Sequence, residues 1–551
     1  MKSNKKVSFS VLIQAITTSL ITACTATNLT GPQHHAQSAQ SASQWYNEGH
    51  QAIEDNLQIA QQAQLNAQTQ AKNIIVFVGD GMGISTQTAA RIYEGQLLGL
   101  AGEEHELFFE NFPHLALVKT YNTNQQTPDS AGTMTAITTG VKTKAGLISV
   151  NQNTTRGDCD SQQGNELTTS LELAEIVGLS TGVVTTARIT HATPASAYAH
   201  IMDRNFEDNR DAKKFSNPGN CIDIARQLIE FPDRFTDHYP WVNGLEVALG
   251  GGRRSFLERI DNIDPEDGAK GERTDNRDLT TEWTTRYPNA EYVWNKTQLD
   301  AISTQEVKHL LGLFDMSHME YEWDRKTDAG GEPSLSEMTQ KAIDILDNNP
   351  KGFLLYVEAG RIDHAHHATN PKRALHDTVE FAKAVKVAYD HTDLNDTLII
   401  VTADHSHVFT LGGYPTRGNP ILGKVVENDS AGNPANESLA ADGYPYTTLG
   451  YTNGRGFHFL PLGGDTIYDQ PVNLEGRVDL SNVDTSNQGF HPETLVPLSA
   501  ETHAGEDVAI YAIGPGSALV SGLIEQNAIY HIVNKAARLE QQARQKGWKR
   551  D

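Results

Sequence analysis

Ile74-Ile75-Val76-Phe77-Val78-Gly79-Asp80-Gly81 decides the fold. An unbroken apolar run of this length, closed by glycine and an acid, reads as a strand buried on both faces. Similar runs recur. Gly182-Val183-Val184 lies within 181–186, Phe353-Leu354-Leu355-Tyr356-Val357 ends at Glu358, and Leu398-Ile399-Ile400-Val401 ends at Thr402-Ala403-Asp404-His405. Val508-Ala509-Ile510-Tyr511 runs on to Gly514-Pro515. Short apolar runs separated by helical stretches predict buried parallel strands in a doubly wound α/β architecture, with helices on both faces of a mostly parallel sheet.

Open sheets of this kind place their sites just beyond the carboxyl ends of the strands. The polar candidates fall there, except His503, which precedes its strand. Residues 408–498 are rich in Gly, Asn, Pro and Tyr and read as a loop-heavy insertion over the site, outside the sheet.

The 551 residues can bury a large core, and a formal charge of −25 argues against a nucleic-acid-binding surface. At the amino terminus, Lys2, Lys5 and Lys6 precede an uncharged apolar segment, Val7 to Ala23, that ends at Cys24. The pattern resembles a bacterial lipoprotein signal over 1–23 with lipidation of Cys24. A plain signal peptide with a chance cysteine is the alternative. Both imply export, to the periplasm or the cell surface, with membrane attachment only through a lipid. Residues 24–43 read as a flexible tether. Residues 44–72 read as a helix with a narrow apolar stripe (Trp45, Ile53, Leu57, Ile59, Leu65). The remaining cysteines, Cys159 and Cys221, can pair in an oxidising compartment, the alternative being two buried thiols.

Asp363 and His367 are four residues apart, so one helical turn can aim both at one ion, and His503 can supply a third ligand. Asp404 and His405 follow another buried strand and, with Asp80 and the Ser130 oxygen, can hold a second ion. Taken singly, each of these residues is more often a helix cap or a satisfied core group. Together they form two coherent ligand sets at strand ends. Thr127-Pro128-Asp129-Ser130-Ala131-Gly132-Thr133 places a serine at a helix start, where backbone N–H groups face an anion. A metal-lowered serine pKa and a two-metal clamp would suit in-line phosphoryl transfer. Arg204 can grip a phosphate bidentately, although a surface salt bridge is the plainer reading. His191 and Thr193 could simply form a turn. A hydroxyl with Glu358 and Asp80 would give an oxygen-rich magnesium site.

At this point the chain resembles the alkaline phosphatases. The motifs Val78-Gly79-Asp80-Gly81-Met82-Gly83, Pro128-Asp129-Ser130-Ala131-Gly132-Thr133, Glu358-Ala359-Gly360-Arg361-Ile362-Asp363-His364, Thr402-Ala403-Asp404-His405-Ser406-His407 and Glu501-Thr502-His503 occur in that family's order, within a match from about Gln44 to Ala537. The resemblance implies hydrolysis of small phosphate monoesters at alkaline pH through a phosphoserine at Ser130. It implies two zinc ions and one magnesium ion per subunit. Asp363, His367 and His503 would hold the first zinc, and Asp80, Asp404 and His405 the second. Asp80, Thr193 and Glu358 would hold magnesium. Arg204 would grip the phosphate, and Asp129 reads as an orienter of neighbouring groups, Arg204 among them, and not as a general base. His407 would stand behind a zinc-bound carboxylate. His191 and His364 occupy positions where enterobacterial members carry Asp and Lys and animal members carry His, so His191 would reach magnesium through water. A calcium site would fall on Glu266, the Phe314 carbonyl, Asp315 and Glu332, with Asp315 and Glu332 departing from the family in side-chain length. Residues 73–540 would form the catalytic domain, with 408–498 as its crown. The family is usually homodimeric, and the 44–72 helix would be the arm that reaches the partner. Cys159 and Cys221 occupy positions where animal members have a disulfide.

Two rivals remain at this stage. A phosphodiesterase or another phosphoryl-transfer enzyme of the same superfamily would differ around the nucleophile and the phosphate grip. An exported zinc- or phosphate-binding lipoprotein would need the ligands without the serine. A dinucleotide loop at Gly79-Asp80-Gly81-Met82-Gly83 is disfavoured, because an Asp in the turn would repel a pyrophosphate.

Overall fold

The computed structural model describes residues 70–460 and 466–549. The signal segment, Cys24, the tether and residues 44–69 of the expected arm lie outside the described residues. Residues 70–72 carry no helix and lead straight into the first strand, with the Ala71 N–H bonded to the Ala536 carbonyl at 3.0 Å.

The core is a ten-stranded sheet. In chain order its strands are β1 (Asn73–Gly79), β2 (His114–Lys119), β3 (Ser180–Arg188), β4 (Val247–Gly251), β5 (Ala290–Val293), β6 (His309–Leu313), β7 (Phe353–Ala359), β8 (Thr397–Ala403), β9 (Val508–Ile513) and β10 (Gly522–Glu525). Across the sheet they lie in the order β10-β2-β9-β8-β1-β7-β3-β4-β6-β5. All seven residues of β1 are buried, as are those of β7 and β8 on either side. Each large apolar side chain so enclosed contributes roughly 1.5–3 kcal/mol. Helices Ile84–Leu97, Leu335–Leu346 and Pro371–Asp390 and the carboxy-terminal pair Ala528–Ala537 and Leu539–Gln545 pack around the sheet. The boundary expected at 540 falls inside the last of these.

One expectation needs correction. β9 is antiparallel to both β8 and β2, whereas the pairings β1–β7, β1–β8, β3–β7, β3–β4, β4–β6, β5–β6 and β2–β10 are parallel. The run Val508–Tyr511 is therefore buried but not parallel. The reversal explains the odd position of His503. The start of an antiparallel strand lies at the same edge as the ends of its parallel neighbours, so a residue ahead of β9 arrives where the other candidates emerge.

Among the described residues, 408–498 contribute no strand to this sheet. They form a small separate sheet from Phe409–Leu411, Leu449–Gly454 and Thr494–Pro497, together with two short antiparallel pairs. Among the described residues no helix is long and apolar enough to cross a membrane.

Candidate active site

Strand register brings the acids together. Gly79 at the end of β1 pairs with Ala359 of β7 and Ala403 of β8. Asp80 and Asp404 therefore leave adjacent strands at the same level. Glu358 is in register with Val78 and Thr185 and lies at that same edge. Gly81 turns the chain at φ 70°, and its N–H donates to Asp404 Oδ1 at 3.0 Å. A Cβ there would lie 2.3 Å from His407 Nε2, so both the backbone angle and the crowding demand glycine.

The helix Arg361–His367 follows β7 and carries Asp363 and His367 on one turn. Asp363 Oδ1 lies 3.4 Å from His367 Nε2, 3.3 Å from His503 Nε2 and 2.8 Å from His407 Nε2. His367 Nδ1–H donates to the Glu501 carbonyl at 2.6 Å, and His503 Nδ1–H donates to the Pro128 carbonyl at 2.8 Å. Those bonds fix the tautomers and leave both Nε2 atoms as lone pairs. The two Nε2 atoms nevertheless face each other at 3.0 Å. Burial lowers His367 to about 4, so its ring stays neutral at working pH. Two lone pairs and a carboxylate oxygen converging in this way form a donor set suited to a cation such as zinc.

A second set lies beside the first. Asp80, Asp404 and His405 are fully buried, and each places a ligand atom within 4.8 Å of the others. His405 Nε2 is 3.4 Å from Asp80 Oδ1, 3.2 Å from Asp404 Oδ2 and 3.1 Å from Ser130 Oγ. Burial, followed by the nearby charges of Asp404, Asp363 and Glu358, holds Asp80 well above the usual carboxylate range. Burial raises Asp404 as well. Asp80 Oδ1 has no hydrogen-bond partner. A cation would relieve both the repulsion and the unmet oxygen.

A third group is richer in oxygen. Asp80, His191 and Glu358 again bring ligand atoms within 4.8 Å of one another. Glu358 Oε1 and His191 Nδ1 are buried without a partner. The Thr193 hydroxyl donates to Asp80 Oδ2 at 3.4 Å, and that of Thr185 donates to Glu358 Oε2. Burial lifts Glu358 to about 7. Arg204 Nη2–H donates to His191 Nε2 at 3.0 Å, which places the imidazole proton on Nδ1. An Nδ1–H cannot ligate a metal directly, but it can donate to a water oxygen on one. This donor chemistry suits magnesium.

Ser130 opens the helix Ser130–Thr139, every residue of which is buried. Asp129 caps that helix, its Oδ1 accepting from Gly132 N–H at 3.1 Å, and Gly140 closes it in the left-handed conformation. Asp129 Oδ2 meanwhile accepts from Gly146 N–H at 2.8 Å and lies 3.4 Å from Arg204 Nη1. The serine therefore has an imidazole of the second donor set on one side and the Asp129–Arg204 pair nearby.

His407 lies between two carboxylates, with Nδ1 at 2.6 Å from Glu501 Oε2 and Nε2 at 2.8 Å from Asp363 Oδ1. Burial alone would lower its pKa. The Glu501 and Asp363 carboxylates outweigh burial and hold the ring protonated up to about 10. Glu501 was legible only as part of the motif that carries His503. Its distance of two residues from that histidine is the one available signal. His318 carried none. It stands beside His364 and His191, with ring centroids 4.0 and 5.3 Å away. Arg361 Nη1–H donates to His364 Nδ1 at 3.3 Å.

Away from this centre, Glu332 is buried with Oε1 unpartnered, and burial followed by the Asp315 charge holds it well above its usual range. Glu266 at the same place accepts from Gly330 N–H at 3.1 Å and from Arg253 Nη2 at 2.9 Å, and Phe314 precedes Asp315 at the end of β6. Cys159 and Cys221 are joined as a disulfide with a Cα–Cα distance of 5.6 Å.

Comparisons with known proteins point to one family. The sequence profile of the family described as "Alkaline phosphatase" matches residues 71–539. The chain is similar to the tissue-nonspecific isozyme of alkaline phosphatase from Gallus gallus, at 42% identity over 501 residues, covering 90% of this chain and 89% of that protein. It is also similar to the Homo sapiens isozyme, at 42% identity over 473 residues, covering 85% and 84%. In fold it resembles the alkaline phosphatase of the Antarctic bacterium TAB5, with a TM-score of 0.56 at 21% identity, covering 86% of this chain and 99% of that one.

Proposed function

The chain belongs to the alkaline phosphatase family and is a metal-dependent hydrolase of phosphate monoesters, and from that premise we propose that Ser130 is its nucleophile and becomes phosphoserine in each turnover. The observation that carries this reading is the 3.1 Å approach of Ser130 Oγ to His405 Nε2, within the donor set of Asp80, Asp404 and His405.

We assign one zinc ion to Asp363, His367 and His503, a second to Asp80, Asp404 and His405, and magnesium to Asp80, Glu358 and Thr193, with His191 reaching it through water. A solved TAB5 alkaline phosphatase variant with a histidine replaced by aspartate has Mg bound in its M3 site. When bound, these ions supply Lewis acidity and lower the pKa of coordinated oxygens. The chain's own residues do the rest. Arg204 holds two phosphate oxygens, and Asp129 and His191 fix its guanidinium. Ser130 Oγ attacks phosphorus in line, its bond to phosphorus forms as the ester P–O bond breaks, and the alcohol leaves with a proton. Water then cleaves the phosphoserine, returning Ser130 and releasing inorganic phosphate. The N–H groups at the start of the helix Ser130–Thr139 face the anion throughout.

Further assignments belong to the same reading: 73–540 as the catalytic domain with a crown at 408–498, a homodimer joined in part by residues 44–72, export with a lipid on Cys24, and calcium on Glu266, Phe314, Asp315 and Glu332. Acid-quenched enzyme digested after exposure to substrate tests the central one. The peptide containing Ser130 should carry one phosphoryl group. Phosphorylation elsewhere, or a quenched enzyme with no phosphopeptide, would overturn it.

A further inference from the structure

We propose that Arg156 is a positioning residue for the phosphate grip, acting through Asp203 and Gly146 on the neighbouring Arg204 and Asp129. This inference rests on the phosphomonoesterase reading above.

Arg156 forms a two-point ion pair with Asp203, Nε to Oδ2 at 2.7 Å and Nη2 to Oδ1 at 3.3 Å. Asp203 is the residue directly before Arg204, and its side chain is only 9% exposed. Apart from Arg156 it accepts from the Asn205 N–H at 2.9 Å, so the pair flanks Arg204 on both sides in sequence. The Arg156 guanidinium also covers Gly146. A Cβ on that glycine would lie 2.2 Å from Arg156 Cζ. Gly146 in turn holds both halves of the phosphate grip. Its N–H donates to Asp129 Oδ2 at 2.8 Å, and its carbonyl accepts from the Arg204 N–H at 2.9 Å. Three residues beyond Arg156, the Cys159–Cys221 disulfide ties down the segment that carries it.

The consequence is electrostatic. With Arg156 removed, Asp203 remains as a nearly buried carboxylate whose charge lacks its counterion. That charge would compete for the Arg204 guanidinium and repel an incoming phosphate dianion. Arg156 also feels the Asp129 carboxylate and is held more basic by Asp203 and Asp129 together. A lysine can supply the charge but not the planar two-point contact.

The test is calorimetric titration of inorganic phosphate into metal-loaded enzyme, with KM and kcat measured in parallel. Arg156→Met should weaken phosphate binding about tenfold and raise KM in proportion, with kcat changed less than about threefold. Arg156→Lys should fall between Arg156→Met and wild type. The double variant Arg156→Met/Asp203→Asn should recover most of the lost affinity, because the unpaired carboxylate is gone. Phosphate affinity unchanged in Arg156→Met would overturn the proposal, as would a double variant no better than the single. Should Arg156→Met fail to fold, Arg156→Lys and the double variant carry the test. Binding is measured without turnover, so failure here is distinct from failure of the Ser130 assignment, which phosphopeptide analysis reads.

Discussion

His367 Nε2 and His503 Nε2 lie 3.0 Å apart although the residues are separated by 136 positions in sequence. Each ring gives its one proton to a backbone carbonyl, so neither can donate to the other. A cation between the two lone pairs would relieve that contact. His503→Ala should therefore lower bound zinc by about one ion per chain, since three protein ligands are the usual minimum for a catalytic site. Elemental analysis of purified protein checks this, and unchanged zinc content would refute the assignment.

Glu501 orients His407, which orients Asp363. Glu501→Gln keeps the shape but removes the charge that holds His407 protonated. Zinc affinity should fall about 10- to 100-fold, the usual effect of losing a partner behind a metal ligand. Competition against a chromogenic chelator measures it. Wild-type affinity would show that the Glu501–His407–Asp363 chain is only packing.

Glu175 gives a pH prediction remote from the metals. Burial raises its carboxyl from 4.5 to about 7, and the neighbouring Glu246 is also pushed well up by burial and then by Glu175 itself. A carboxyl with a raised folded pKa binds its proton more tightly in the folded state. Its stabilisation is complete below pH 4.5 and is lost as pH rises through about 7. Glu175→Gln mimics the protonated form and keeps an acceptor for the Thr181 hydroxyl, now 2.6 Å from Glu175 Oε1. The variant should be more stable than wild type at alkaline pH by about 1–3 kcal/mol, and the difference should vanish only below pH 4.5, where the carboxyl is protonated in both states. Urea unfolding at both pH values decides it, and a variant less stable under alkaline conditions would contradict it.

The disulfide closes a loop of 62 residues. Replacing Cys159 and Cys221 together with serine should cost about 2–4 kcal/mol of unfolding free energy. Ser130 and the residues assigned to the metals lie on other elements, so kcat should hold at temperatures where the variant is folded. Thermal unfolding with parallel activity measurements checks both halves.

Much of this was legible in the chain because the central strands carry an unmistakable pattern. β1, β7 and β8 are continuous apolar runs that end in Asp80, Glu358 and Asp404. The direction of β9 was not legible, since an apolar run looks the same whichever way it pairs. β4 was hidden by its composition, Val247-Ala248-Leu249-Gly250-Gly251, in which glycines dilute the signal. β2 lies near the sheet edge and exposes Leu115 and Leu117, so it alternates where the central strands do not. His318 and Arg156 left no trace, because what they touch is distant in sequence: His364 in one case, Asp203 and Gly146 in the other.

The most direct test of the account is steady-state turnover of a nitrophenyl phosphate monoester by wild type and Ser130→Ala, with zinc and magnesium content measured on the same samples. The account predicts that metal content persists while turnover falls by at least about 10³-fold, the scale of losing an activated nucleophile. Ser130→Ala turning over at the wild-type rate with its metals in place would contradict it.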